Sequence, residues 1–228
     1  MKAAVLFSGG KDSTYAAYMA IGEGYKVECL LSLVSDNKAS YMFHTANIEF
    51  AEKQAEAMEI PLLIFETKGE KEAELEDLRN AIKFAMEKHH INTLIVGAIA
   101  SKYQYDRVKN IADELKIDVF SPIWKVDPEQ YLDDLVKARF EVVISAIAAE
   151  GLTKDFLGKR IDHNMIERLK ELNRKHHIHV AGEGGEYETF VTDCPLFKKR
   201  IKILKSETNM ENVNTGLLVI KEVKLVDK

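Results

Sequence analysis

The chain has 228 residues, 46% of them hydrophobic and 30% charged, with a formal net charge of −5. That is enough apolar material for one sizeable domain or two small ones, and it excludes wholesale disorder. No apolar stretch approaches the ~20 residues of a membrane span, the acidic balance argues against bulk attraction to nucleic acid, and Cys29 and Cys194 form no C-x-x-C pair for a metal cluster or redox relay.

Residues 3–7 form a short apolar run that ends in Ser8-Gly9-Gly10-Lys11-Asp12-Ser13, and a helical period follows at once. A signal peptide would be cleaved through this loop, so none is expected, and the location is expected to be cytoplasmic. Further strand-like runs at 27–34, 62–65 and 93–98 are apolar on both faces, as strands covered by helices are. Between them Ile48, Ala51, Ala55 and Met58 keep a helical spacing, as do Leu75, Leu78, Ile82 and Ala85. A helix over about 104–115 completes a βαβα alternation. It predicts an α/β fold built on a doubly wound, Rossmann-like parallel sheet. Ligands of such sheets sit at the carboxyl ends of the strands, so loops 8–13, 35–44 and 97–103 are expected to share one crevice.

Ser121-Pro122-Ile123-Trp124 interrupts the alternation. We read residues 1–120 as a nucleotide-binding domain and residues 121–228 as a smaller C-terminal α+β domain, with Trp124 packed between them. The second half predicts helices over 128–138 and 164–174, and strands at 141–146, near His179, at 200–205 and at 217–226. Lys198-Lys199-Arg200 reads as a solvated edge, and His176, His177 and His179 lack a carboxylate or cysteine at ligand spacing.

The loop at 8–13 has one outstanding chemical use. Glycines let the backbone approach an anion, and a helix start offers unpaired N–H groups and the positive end of its dipole. Ser8 and Ser13 add hydroxyls, Lys11 adds a charge, and Asp12 could orient a donor or reach a metal. The string is neither G-x-G-x-x-G nor a Walker A loop, because Val5 stands five before Gly10 and Asp12 follows Lys11. Lys11 and Ser13 are expected on an exposed loop, where alanine would reduce activity more than stability. A second concentration follows at Ala181-Gly182-Glu183-Gly184-Gly185-Glu186-Tyr187-Glu188-Thr189-Phe190. Carboxylates this dense repel one another unless a cation or a donor sits among them.

The string at 8–13 resembles the pyrophosphate loop of the N-type ATP pyrophosphatases. Four further strings follow it in order: Ser40-Tyr41-Met42-Phe43-His44, Val96-Gly97-Ala98-Ile99-Ala100-Ser101, Leu157-Gly158-Lys159-Arg160-Ile161-Asp162 and the glutamate–glycine string at 182–190. Together they resemble the diphthine–ammonia ligase family over nearly the whole chain, with Lys102 where that family leads one to expect an acidic residue. The resemblance implies an adenine-nucleotide alpha-hydrolase-like fold and an ATP-dependent amide synthesis. The carboxylate of diphthine on translation elongation factor 2 would become an acyl-adenylate, with release of pyrophosphate. Ammonium would then displace AMP.

On that reading Ser8, Gly9, Gly10, Lys11, Asp12, Ser13, His44, Gly97 and Ser101 bind ATP, and Asp12 also serves Mg2+. Lys11, Asp12, Glu183 and Glu186 carry the chemistry. Glu183, Glu186, Tyr187, Glu188 and Phe190 receive the substrate, whose trimethylammonium group calls for aromatic faces and carboxylates. Elongation factor 2 and ammonium are the expected partners, no nucleic acid or membrane is expected, and a homodimer is left open. Two rivals are weighed: a tRNA-modifying ATP pyrophosphatase (a thiolase or a lysidine-type ligase), which would use the same loop, and a non-catalytic adenine-nucleotide sensor, a class that commonly carries its glycine loop late in the chain.

Overall fold

Ala3 and Val5 pack into one cluster of apolar side chains and Ala4 into another, and all three are fully buried. The first strand is therefore covered on both faces, as its unbroken apolar sequence requires. This strand, β1 (Lys2–Leu6), lies at the centre of a five-stranded sheet in the computed structural model, which describes residues 1–35, 47–68, 73–99 and 101–228.

The chain continues through α1 (Lys11–Gly22), β2 (Lys26–Ser35), α2 (Ala51–Met58), β3 (Leu62–Thr67), α3 (Ala73–His89), β4 (Thr93–Ile95), α4 (Lys102–Leu115) and β5 (Asp118–Phe120). The strands run in the order β3-β2-β1-β4-β5, and every pairing is parallel. The order reverses between β1 and β4. In an open α/β sheet that reversal opens a crevice at the carboxyl ends of the two strands. The loops after β1 and β4 are those that carry residues 8–13 and 97–101. Most of the third expected loop, with His44, lies outside the described residues.

The second half holds α5 (Pro128–Lys137), β6 (Glu141–Ala148), α6 (His163–His176), β7 (Tyr187–Asp193), β8 (Arg200–Met210) and β9 (Thr215–Val226). Its strands form an antiparallel sheet in the order β7-β6-β9-β8. Both helices begin on an aspartate. Asp127 accepts from the amides of Glu129 and Gln130 ahead of Pro128 in the first turn, and Asp162 accepts from the amide of Met165.

The two sheets share a core. Side chains of α1 and α2 pack with those of α5, α6, β6 and β7 in one cluster, while α3 and α4 cover the other face of the parallel sheet. That shared core brings the start of β7 against the loop after β1.

Several features differ from the sequence-based expectations. No strand forms at His179, because the side chains of Glu186 and His179 accept backbone amides there and hold residues 178–185 in turns. β5 is an edge strand of three residues, too short for a period to show. Trp124 stacks on Tyr105 of α4, with ring centroids 4.5 Å apart, and packs with the α3–α4 layer rather than between the two halves.

No helix among the described residues is long and apolar enough to cross a membrane. Both cysteines are fully buried in the core. Burial pushes the Cys29 thiol up to about 11 and the Cys194 thiol up to about 12. The thiolate is the reactive form. A colorimetric disulfide reagent at pH 8 should therefore label neither thiol in the native protein and both in denaturant. Rapid labelling of either without denaturant would show that its packing opens readily.

Candidate active site

The chain leaves β1, turns at Ser8-Gly9-Gly10 and enters α1 at Lys11. Gly9 has φ +78°, a conformation that favours glycine, and a β-carbon there would run into Oε1 of Gln54. Gln54 on α2 is fully buried, and its Nε2 donates to the carbonyls of Gly9 and Val191, each at 2.8 Å. Inside the turn the Ser13 hydroxyl accepts from the Ser8 amide at 3.2 Å and lies 3.2 Å from the Ser8 hydroxyl. Gly10 has no side chain to cap α1, and the amide of the first helical residue, Lys11, donates to a side chain of the second half of the chain instead.

Gly97 makes the close approach from the other side of the crevice. A β-carbon there would stand 2.6 Å from the carbonyl carbon of Asp12 and 2.7 Å from the amide nitrogen of Ser13. Only glycine lets the loop after β4 lie this close to the first turn of α1.

Lys11 and Ser13 are not exposed as the sequence reading expects: they are 2% and 5% exposed. The second half of the chain covers them. The Lys11 amide donates to Thr189 Oγ1 at 3.0 Å, and the Val191 amide donates to the Gly9 carbonyl at 3.2 Å. Lys11 Nζ sits 3.0 Å from Asp12 Oδ2 and 5.3 Å from the centroid of the Tyr187 ring. The other carboxylate oxygen of Asp12 accepts from the Tyr131 hydroxyl at 2.8 Å. Asp12 itself remains 32% exposed at its side chain. The Tyr131 and Tyr187 phenols are held well above their ordinary range, chiefly by burial and then by the charge of Asp12. Both therefore remain neutral throughout the working range.

The acidic loop resolves its own repulsion with backbone donors. Glu183 Oε1 accepts from the amides of Ser101 at 2.8 Å and Ile99 at 3.3 Å, across the crevice. Glu186 accepts from the amides of His179 at 2.7 Å and Gly184 at 2.8 Å. His179 Nδ1 accepts from the amides of Ala181 and Glu183. Tyr187 and Phe190 are each 2% exposed and belong to the shared core. The Tyr187 hydroxyl donates to the Val180 carbonyl at 2.7 Å, and its ring faces Lys11 rather than open solvent. Glu188 is half-buried on β7, opposite Ala146 of β6.

Three stretches distant in sequence thus meet: the turn at 8–13, residues 97–99 with Ser101, and the loop at 183–189. Three residues of this junction are missing from the sequence-based set. Gln54 carries a signal in retrospect, since it is a polar residue on the stripe formed by Ala51, Ala55 and Met58. Thr189 stands inside the glutamate–glycine string. Tyr131 carries none, because its spacing with Leu132 and Leu135 is that of an ordinary core aromatic. Among the described residues no group of three or more His, Cys, Asp or Glu side chains is placed to hold a metal ion.

Comparison with known proteins bears on this arrangement. Residues 1–119 match the diphthamide synthase N-terminal domain, and residues 127–226 match the diphthamide synthase C-terminal domain. A mouse protein named diphthine–ammonia ligase is 37% identical over 94% of this chain and 87% of its own length. Its human counterpart is 37% identical over 91% of this chain and 84% of its own length. A solved structure from Methanocaldococcus jannaschii, described as a predicted subunit of tRNA methyltransferase, shares 17% identity with a TM-score of 0.46. It covers 86% of this chain and 98% of that one, a likeness too loose to bear on function.

Proposed function

This chain belongs to the diphthamide synthase family, and from that premise we propose how its two halves divide one reaction. The chain is an ATP-dependent diphthine–ammonia ligase, and neither a tRNA-modifying pyrophosphatase nor a passive nucleotide sensor is favoured. The observation that supports a shared site is the junction itself. Lys11 of the first half binds Thr189 of the second, and Glu183 of the second binds Ser101 of the first.

In this reading residues 1–120 hold the nucleotide and residues 121–228 present the acceptor. The acceptor is the diphthine carboxylate of translation elongation factor 2. Its oxygen attacks the α-phosphorus of ATP, the bond to the bridging oxygen breaks, and pyrophosphate leaves with its electron pair. The backbone and hydroxyls of Ser8, Gly9, Gly10 and Ser13 hold that leaving group at the head of α1, where the helix dipole favours negative charge. Lys11 supplies a cation. Gly97 and Ser101 line the adenosine side. Ammonia, formed when ammonium gives up a proton, then attacks the acyl carbon, and AMP departs with the electrons of its bond.

The acidic loop serves this site by shape as well as by charge. Glu183 fixes Ile99 and Ser101 against the second half, and Glu186 folds residues 179–186 into a turn. With Glu188 they form the wall that the acceptor approaches. Burial gives Tyr187 and Phe190 a supporting place behind that wall.

Magnesium suits the donor set. Mg2+ keeps several waters and binds through one or two carboxylates plus substrate phosphates. Asp12, one-third exposed at the mouth of the turn, is such a carboxylate. When bound, the ion neutralises charge on the phosphates.

The test is turnover. With diphthine-bearing elongation factor 2 and ammonium in a cytoplasm-like buffer, ATP should yield AMP and pyrophosphate in step with diphthamide. Omitting either the acceptor protein or ammonium should stop diphthamide formation. AMP release that proceeds equally without the acceptor, or ADP as the product, would refute the reading.

A further inference from the structure

Tyr131 lies in the second half of the chain, on α5, yet its hydroxyl donates to Asp12 Oδ1 of the pyrophosphate turn at 2.8 Å. The phenol has little freedom. Tyr131 is 1% exposed, and its ring packs edge-on against Tyr15 of α1 with centroids 5.4 Å apart. Tyr15 rests in turn on Phe140 at 5.3 Å. The start of α5 is pinned by the Asp127 cap. Burial keeps the phenol protonated, so it can only donate to the carboxylate.

Asp12 is thus held between two donors, Tyr131 on one oxygen and Lys11 on the other. A nucleotide phosphate competes with Asp12 for the Lys11 ammonium. If Lys11 were the sole partner, drawing it toward a phosphate would strip the carboxylate of its only donor. The carboxylate would then hold the ammonium back, since leaving a half-buried charge without a partner is unfavourable. A second, immovable donor removes that conflict and fixes which way Asp12 faces.

We infer that Tyr131 is a positioning residue for the AMP-forming step, acting through Asp12. The inference rests on the reading of Lys11 and Asp12 as part of the reaction centre. Tyr131→Phe keeps the ring and removes only the donor. It should lower kcat for AMP formation about tenfold, some 1.4 kcal/mol of barrier. The KM for elongation factor 2 should stay within about twofold, and the melting temperature within a few degrees.

The decisive measurement is the double-mutant cycle with Asp12→Asn. A residue that works through Asp12 loses its effect once that carboxylate is neutral, so the Phe substitution should then cost less than about threefold. The inference is overturned if the Phe substitution costs the same in both backgrounds, or nothing in the parent. It is equally overturned if Tyr131→Phe melts far below the parent, since the contact would then be a folding contact. Asp12→Asn with parental kcat would remove Asp12 from the reaction centre, and this inference with it.

Discussion

Gly97→Ala should lower AMP formation about 100-fold while leaving a folded protein. The added β-carbon would stand 2.6 Å from the carbonyl carbon of Asp12 and 2.7 Å from both its carbonyl oxygen and the Ser13 nitrogen. These are backbone atoms and cannot rotate aside. Restoring an ordinary carbon contact of ~3.5 Å would push the loop after β4 and the first turn of α1 apart by roughly 1 Å. A misplacement of that size at reacting groups costs on the order of 100-fold in rate. The same shift would strain the hydrogen bond from the Ser101 amide to Glu183, four residues further along.

Stability should suffer less. Overpacking costs ~1–3 kcal/mol, which lowers the melting temperature of a chain this long by roughly 2–12 °C. Measuring kcat for AMP release beside a thermal melt separates the two effects. A Gly97→Ala protein with parental kcat would mean that the head of α1 is not where the phosphates react.

The same glycine marks the boundary of what is legible in the sequence. Its place at the end of a strand points to a nucleotide crevice, but the reason for glycine there is a contact with residue 12, more than eighty positions away. The turn at 8–13 was legible because its signal is local: an apolar run, two glycines, hydroxyls and a helix period in immediate succession. β5 was not legible, because three residues cannot display alternation. The strand expected at His179 failed for a reason of side-chain chemistry. Glu186 and His179 accept backbone amides there and turn the chain before β7 begins.

The glutamates teach a related lesson. Their density predicts a compensating donor or cation, and the donors that Glu183 found are amides of residues 99 and 101. Composition can announce that such donors must exist, but only tertiary structure supplies their identity. Lys11 departs from expectation for the same reason. A lysine after two glycines reads as exposed until a second sheet is packed over it.

That burial changes the argument for Lys11→Met without changing its outcome. Removing one preorganised donor from a reaction centre typically costs ~2.7–4 kcal/mol of transition-state stabilisation, or about 100- to 1000-fold in kcat. AMP formation should fall by about that factor. Lys11→Ala would confound the test, because the side chain is 3% exposed and its removal would leave a void beside Tyr187. Methionine keeps most of the length and packs flexibly. The charge it removes leaves Asp12 without its cation, yet that carboxylate keeps the Tyr131 hydroxyl and is 32% exposed to water. The melting temperature should therefore stay within a few degrees of the parent. Activity and stability should separate widely, for a reason opposite to the one the sequence suggested: the loop is not free of the core, but its aspartate has a second partner. If the melting temperature instead fell in proportion to kcat, Lys11 would belong to the junction between the two halves, and the cation acting on the phosphates would have to come from elsewhere.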